Sequence, residues 1–322
     1  MRLEHPDGLA HAGDFNVYEL RSGPRCDGRR RRRARPACAA RRAPPPARAP
    51  PCFYAYWRDA HPSWRHVAAQ WREGVELGTA FPCDDGLVLV LLQAPVARVA
   101  EFRDDLEATY RRTIAAIPGL ARRLDGCDLA TKVRAATGIE SFFRHSCGPG
   151  WALAGDAGHF KDPVTAQGIR DALRYARELG EVAAPVVHHE AALDAAVADW
   201  ERRRERECIE VYQWTDRLAR GDAMTPLEVE LYRRASRDPR LAGEFLDVFS
   251  RTRRPTAFLS PVRAATLVAG ALARGERDRR SVLAAVREEL RTALADVRER
   301  RAVPSALSAG GSSSGSRAAG GP

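Results

Sequence analysis

Gly150-Trp151-Ala152-Leu153-Ala154-Gly155-Asp156-Ala157-Gly158-His159-Phe160-Lys161-Asp162-Pro163-Val164-Thr165-Ala166-Gln167-Gly168-Ile169 is the stretch that decides how this chain folds. Trp151 to Ala154 is a short apolar run that reads as a buried strand ending at Gly155-Asp156. The strand delivers a lone carboxylate, Asp156, at its C-terminal end. Gly155, Ala157 and Gly158 keep the backbone around it slim, so a ligand can approach closely. Pro163 shapes the loop, and a helix is expected from about Ala166 to Glu181, opening near Ala166-Gln167-Gly168 with free N–H groups. A strand end, an acid and a helix N-terminus suit a hydroxylated ligand bearing partial negative charge. The same spacing also fits an ordinary strand-to-helix turn with Asp156 as its cap.

Before this stretch, Cys52 to Arg58 (CFYAYWR) reads as a strand, with Phe53, Ala55 and Trp57 on one face and Tyr54 and Tyr56 on the other. Strands are expected over Val75 to Phe81 and Leu87 to Leu92, joined by the turn Pro82-Cys83-Asp84-Asp85-Gly86. A helix from about Arg98 to Ala116, closed by Pro118-Gly119, and a strand near Leu129 to Ala135 follow. Phe15 to Leu20 can form a short strand. Everything after the stretch Gly150 to Ile169 reads as helical. Val197, Trp200, Arg204, Cys208, Val211, Thr215 and Leu218 form one stripe with Arg204 at its edge, and Leu283, Val286, Leu290, Leu294 and Val297 form a cleaner apolar face. The fold class is therefore mixed α/β. Its parts are an Arg/Pro-rich segment (1–51) expected to be disordered, a sheet with a covering helix (52–149), a strand-loop-helix (150–187), a helical region (188–302) and a Gly/Ser tail (303–322) expected to be disordered.

Composition narrows the function. The chain has 322 residues, 44% hydrophobic and 29% charged, and no apolar run long enough to span a bilayer. Met1-Arg2-Leu3-Glu4-His5 is followed by no apolar stretch, so no secretory signal is expected and the cytoplasm is the expected compartment. The formal charge of +10 sits within residues 21–50, which hold eleven Arg and one acid, Asp27. Lys occurs only at Lys132 and Lys161, a skew that fits codon bias in a GC-rich gene better than a nucleic-acid groove. The seven Cys never form C-x-x-C, no H-E-x-x-H occurs, and His188-His189-Glu190 reads as a surface cluster, so no metal site is expected. No G-x-S-x-G elbow and no P-loop appear, which removes the common hydrolase and NTPase readings.

The segment Gly155 to Gly168 resembles the second flavin-binding motif of FAD-dependent monooxygenases of the para-hydroxybenzoate hydroxylase type, a motif shared with flavin halogenases and geranylgeranyl reductases. The family pattern G-D-A-x-H-x-x-x-P-x-x-x-x-G is met by Gly155, Asp156, Ala157, His159, Pro163 and Gly168. The resemblance implies that these residues bind FAD, with Asp156 on a ribityl hydroxyl and the helix N-terminus against the pyrimidine edge of the ring. It implies an oxidoreductase that hydroxylates a small organic substrate with NAD(P)H and O₂. One face of the Tyr54, Tyr56 and Trp57 strand would line the substrate pocket, and His159 would steady the loop or act as an acid–base group. Thr165 and Arg170 depart from the Gly and Asn of many relatives, and W-x-W-x-I is absent after Trp57, which disfavours halogenation. A fainter match, Asp27-Gly28, resembles the family's G-A-D-G-x-x-S without its Ser, making Asp27 a weaker cofactor-binding candidate.

The family's opening βαβ unit, with G-x-G-x-x-G for the ADP half of FAD, has no counterpart in this sequence. The chain thus resembles an N-terminally truncated member, and a shifted reading frame through a GC-rich gene would produce residues 21–50. An inactive remnant, or a basic nucleic-acid-binding module acting through residues 21–50, are the alternatives. Resequencing the locus tests the frameshift, which a fingerprint-free upstream region would sink.

Overall fold

The computed structural model describes residues 18–19, 40–41, 51–137, 141–274 and 279–309. Two short strands, β1 (Tyr18–Glu19) and β2 (Ala40–Arg41), precede the main sheet. That sheet is built from β3 (Cys52–Arg58), β4 (Ala69–Glu73), β5 (Glu76–Pro82) and β6 (Leu87–Gln93). Helices α1 (Val99–Asp104), α2 (Leu106–Ala115) and α3 (Pro118–Arg123) follow, then β7 (Asp128–Leu129) and β8 (Arg134–Ala136). The strand order is β4-β5-β6-β3-β7, with β8 also on β3, and every pairing is antiparallel.

Alternation along β3 decides which face is the core. Phe53, Ala55 and Trp57 are buried together with Val88, Val90 and Leu92 of β6. Phe102, Tyr110, Ile114, Ile117 and Leu120 cover them from the helical side. Tyr110 fixes the register of this packing, since its hydroxyl donates to the Val90 carbonyl at 2.9 Å and accepts from Trp57 Nε1 at 3.3 Å. Trp57 therefore belongs to the core. Tyr54 and Tyr56 lie half-buried on the opposite face.

Several local expectations shift. Gly74, at φ +58, and Val75 form a two-residue hairpin between Glu73 and Glu76, so a strand precedes the one expected from Val75. The expected Arg98–Ala116 helix is broken at Asp105 (φ −149), whose side chain caps α2 by accepting from Ala108 N. Pro118 opens α3 instead of closing a helix, because the first helical position has no N–H to lose. The strand expected over Leu129–Ala135 is two pieces on the same edge of β3.

The second unit carries β9 (Phe142–Arg144), β10 (Cys147–Gly148), β11 (Trp151–Ala152) and β12 (His159–Phe160). β11 lies between β1 and β10, and β9 between β12 and β2. These are the pairings found for residues 18–19 and 40–41. The other residues before Pro51, Asp27 included, lie outside the described residues. Helices α4 (Gly168–Ala183), α5 (Glu190–Ala219), α6 (Pro226–Ala235), α7 (Pro239–Phe249), α8 (Pro255–Phe258), α9 (Pro261–Arg274) and α10 (Arg279–Ala309) complete the chain. Tyr175, Leu179 and Ala183 of α4 pack on Leu193, Val197 and Trp200 of α5.

Two expectations about the helices are corrected. Arg204 is fully buried in α5, not at its edge. On α10, Leu283, Leu290 and Leu294 are 58%, 61% and 59% exposed, and Val282 is the buried residue. The helix turns so that Gln213 and Arg217 of α5 meet Asp296 and Glu299. Helix α10 also runs to Ala309, into the segment expected to be a disordered tail, while residues 310–322 lie outside the described residues.

Candidate functional site

The loop between β11 and α4 is assembled around two unusual backbone positions. Gly155 adopts φ +59 and packs against α4, where a Cβ would sit 3.2 Å from Ala172 Cβ. Only glycine meets both conditions without strain. Ala166, at φ +53, turns the chain into α4 and is a non-glycine residue in the left-handed region. The loop that imposes this is fastened from three sides. Asp162 accepts from Val164 N at 2.9 Å and from Gln93 Nε2 of β6 at 2.8 Å. Thr165 Oγ1 lies 2.8 Å from Thr215 Oγ1, and Gln167 Nε2 donates to the carbonyls of Thr165 and Phe249. The Gln93 contact ties the end of the large sheet to the motif.

Asp156 projects from this loop and is exposed. A Cβ built on Gly168 would lie 3.6 and 3.7 Å from its two oxygens, which places the carboxylate beside the N-terminus of α4. The N-cap of α4 is Gln167, with no side-chain capping bond, and Asp156 accepts no hydrogen bond from any described residue. Partial burial raises its pKa, Lys161 opposes that, and the Asp171 carboxylate adds to it. The carboxylate and the helix N–H groups are both left open to a ligand. Pro163 is exposed at the loop surface, whereas Ala157 is buried under the loop.

His159 points the other way. It is 1% exposed, lies 5.2 Å from the Phe143 ring and meets Tyr175 edge-on. Lys161 Nζ is 3.0 Å from His159 Nε2 and donates to Asp171 Oδ2 at 2.6 Å. Nε2 is thus the acceptor, and the ring proton sits on Nδ1, which has no partner among the described residues. Burial first, and the Lys161 charge second, push the imidazole down to about 3, so it is neutral at physiological pH. A neutral, enclosed ring of this kind packs the loop and is not placed to exchange protons at Asp156.

That shift sets a pH dependence. Because the folded value lies below the unfolded value of about 6.5, the unfolded state takes up a proton first as pH falls. Stability is unaffected above about pH 6.5 and declines toward about 3, by about 2 kcal/mol at pH 5 from this group. His159→Gln should flatten the fall in melting temperature between those pH values; an unchanged slope would show that His159 titrates normally.

His159, Asp171 and Cys208 bring one nitrogen, one carboxylate oxygen and one sulfur within 4.8 Å of each other, all buried. The Lys161 ammonium sits against two of these ligand atoms, and Arg251 Nη1 lies 3.4 Å from the Asp171 oxygens. Two fixed cations already satisfy the carboxylate, so a metal ion would meet net repulsion there.

Arg204 and Glu201 of α5 are the positioning residues that the sequence did not reveal. Arg204 donates to the Leu153 carbonyl at 3.2 Å and to Ser146 Oγ at 2.7 Å, while Glu201 accepts from Ser146 N and lies 3.1 Å from Cys147 Sγ. Arg204 also lies over the Trp200 ring. A guanidinium and a carboxylate from one helix thus hold β10 and the end of β11, the strand that delivers Asp156. Gly158 leaves them room, since a Cβ there would lie 2.6 Å from Arg204 Nη1. The one hint in the sequence was an arginine in the middle of an apolar stripe.

No protein-family model and no curated protein matches the chain. Solved structures do. A flavoprotein/dehydrogenase from Cytophaga hutchinsonii aligns at 15% identity and TM-score 0.52, over 62% of this chain and 48% of its own. The flavin-dependent halogenase CmlS aligns at 18% identity and TM-score 0.47, over 70% and 44%. Klebsiella pneumoniae HpxO, complexed with FAD and uric acid, aligns at 17% identity and TM-score 0.43, over 69% and 54%. The likeness to the Cytophaga structure is one of fold: the chain has a flavoprotein fold and spans about half the length of the solved structures it matches.

Proposed function

We propose that the chain is the substrate-facing and flavin-ring-binding part of an FAD-dependent monooxygenase, an oxidoreductase that hydroxylates a small organic substrate with NAD(P)H and O₂ in the cytoplasm. The observation that carries this reading is the exposed Asp156 carboxylate, without a hydrogen-bond partner, beside the open N-terminus of α4. These groups fit the flavin end of FAD, which offers hydroxyl donors and a ring edge that carries negative charge when reduced. Bound FAD would supply hydride acceptance from NAD(P)H and reaction with O₂.

The chain's own residues would do the rest. Asp156 would accept a hydrogen bond from a ribityl hydroxyl, with Gly168 leaving space for the approach and the buried Gly155 and Ala157 shaping the loop beneath it. The α4 N-terminus would stabilise negative charge on the ring by about 0.3 to 2 kcal/mol. The half-buried sheet face bearing Tyr54, Tyr56, Leu89 and Leu91 runs to Gln93, which is bonded to the motif loop, and would keep water from an apolar substrate. His159, Pro163 and Asp27 stay cofactor-binding candidates on the motif alone, His159 through loop packing. The lack of W-x-W-x-I supports hydroxylation over halogenation.

Ile169 and Leu173 of α4 are 80% and 70% exposed, on the face opposite Asp171 and Tyr175. An apolar strip of this kind next to the site suits burial under the nucleotide-binding half of the fold. The chain as given should hold FAD weakly or not at all, because the pyrophosphate-binding helix is what usually anchors the cofactor. Fused ahead of Cys52 with a βαβ unit carrying the glycine fingerprint, it should keep stoichiometric FAD through gel filtration. A folded fusion that retains no flavin would refute the proposal, and oxygenase activity of a flavin-loaded fusion separates enzyme from remnant. No helix among the described residues is long and apolar enough to cross a membrane.

A further inference from the structure

A cavity of 290 Å³ opens between α4, α5 and the segment Arg251 to Pro255, and none of the residues lining it comes from the Asp156 loop. Its wall carries Arg174, Arg206, Arg251, Arg253 and Arg254 against only Glu207 and Glu210. Three of the arginines are held in place by partners. Arg251, at φ +63, is 6% exposed on its side chain, with Nη1 3.4 Å from Asp171 and Nη2 donating to the Glu207 carbonyl at 3.2 Å. Arg174 is fixed at 2.8 Å by both Glu178 and Glu207, and Arg253 at 2.9 Å by Glu244.

The other two are held less firmly. Arg206 is exposed and pairs with no described residue, and Arg254 is 74% exposed on its side chain and 3.8 Å from Glu210. The cavity thus combines a prearranged floor of arginines with one unpaired guanidinium, Arg206, and a second, Arg254, held only by a long and exposed contact to Glu210. Guanidinium forks of this kind recognise phosphate oxygens bidentately, and the prearranged groups lose little freedom on binding.

We propose that this cavity is a binding site for a small phosphate-bearing anion, with Arg206 and Arg254 closing on the phosphate over a floor formed by Arg251 and Arg174. The site is independent of the flavin reading.

Calorimetric titration of the full chain with inorganic phosphate and with glycerol 3-phosphate tests it. Saturable one-site binding is expected, weakened about tenfold or more by Arg206→Gln and by Arg254→Gln. Arg237→Gln, an exposed arginine outside the cavity, should leave it unchanged. Tighter binding of the ester identifies a phosphorylated metabolite as the ligand, and equal binding identifies the free anion; either supports the site. Both cavity variants alter exposed side chains, so melting temperature should not move. Absence of saturable binding, no effect of Arg206→Gln, or an equal loss with Arg237→Gln would overturn the proposal. The last would mean general attraction to a basic chain whose residues 21–50 hold eleven arginines.

Discussion

Asp171→Ala is expected to lower stability by about 3 to 5 kcal/mol at neutral pH, measured by chemical denaturation. The Asp171 side chain is 2% exposed and is the shared partner of Lys161 at 2.6 Å, Arg170 at 3.0 Å and Arg251 at 3.4 Å. Truncation strands the Lys161 and Arg251 charges inside, 3% and 6% exposed. Removing Lys161 as well, in Asp171→Ala with Lys161→Met, should recover part of the loss, since one stranded charge leaves with its partner. Burial works to raise the Asp171 carboxyl, but the charges of Lys161 and Arg251 and the hydrogen bond from Lys161 outweigh it and hold the group well below the usual range. Its contribution is therefore complete above an unfolded value of about 3.9 and is lost as pH falls further. A loss under about 1 kcal/mol would show the cluster to be solvated, as exposed ion pairs are.

A loss of similar size, about 3 to 5 kcal/mol, is expected for Asp59→Ala. Asp59 takes a two-pronged bond from Arg123, Nη1 to Oδ1 at 2.8 Å and Nη2 to Oδ2 at 2.7 Å, and both side chains are 1% exposed. The pair joins the end of β3 to α3, with the guanidinium lying over Trp64. Arg123 Nε already lacks a partner, so without the carboxylate the whole guanidinium is buried unpaired. A double-mutant cycle with Arg123→Met isolates the pairing, because the double variant should be less destabilised than Asp59→Ala alone. Additive losses would show that the two residues matter only through packing.

Both ion pairs lie outside what periodicity can report. The alternation of CFYAYWR separated Phe53, Ala55 and Trp57 from Tyr54 and Tyr56, and it took the helices packed on the sheet to decide that the first set is the core. The strand-to-helix turn from Gly155 to Gly168 was legible because its glycines answer backbone demands at a single turn. Arg204 was misplaced because a stripe argument treats charge as an edge property. It cannot foresee that Ser146 and Leu153, more than fifty residues earlier, supply the acceptors that make burial tolerable. The α10 leucines failed for the opposite reason. Their spacing is helical, but the helix is oriented by polar contacts of Asp296 and Glu299 to α5, which leaves the leucines outside. His159 matched a family position, and only the ring of Phe143, Tyr175 and Lys161 around it reveals that it is enclosed and neutral.

The flavin titration of Asp156→Ala tests the central claim most directly, in the chain joined ahead of Cys52 to a βαβ unit with the glycine fingerprint. Loss of a charge-assisted hydrogen bond of about 1.5 to 3 kcal/mol should weaken FAD binding roughly ten- to hundredfold. The apo melting temperature should stay where it is, because Asp156 accepts no hydrogen bond from the described residues. An apo melt that drops as for a lost helix cap, about 0.5 to 2 kcal/mol, beside an unchanged flavin titration would contradict the account and make Asp156 a structural residue.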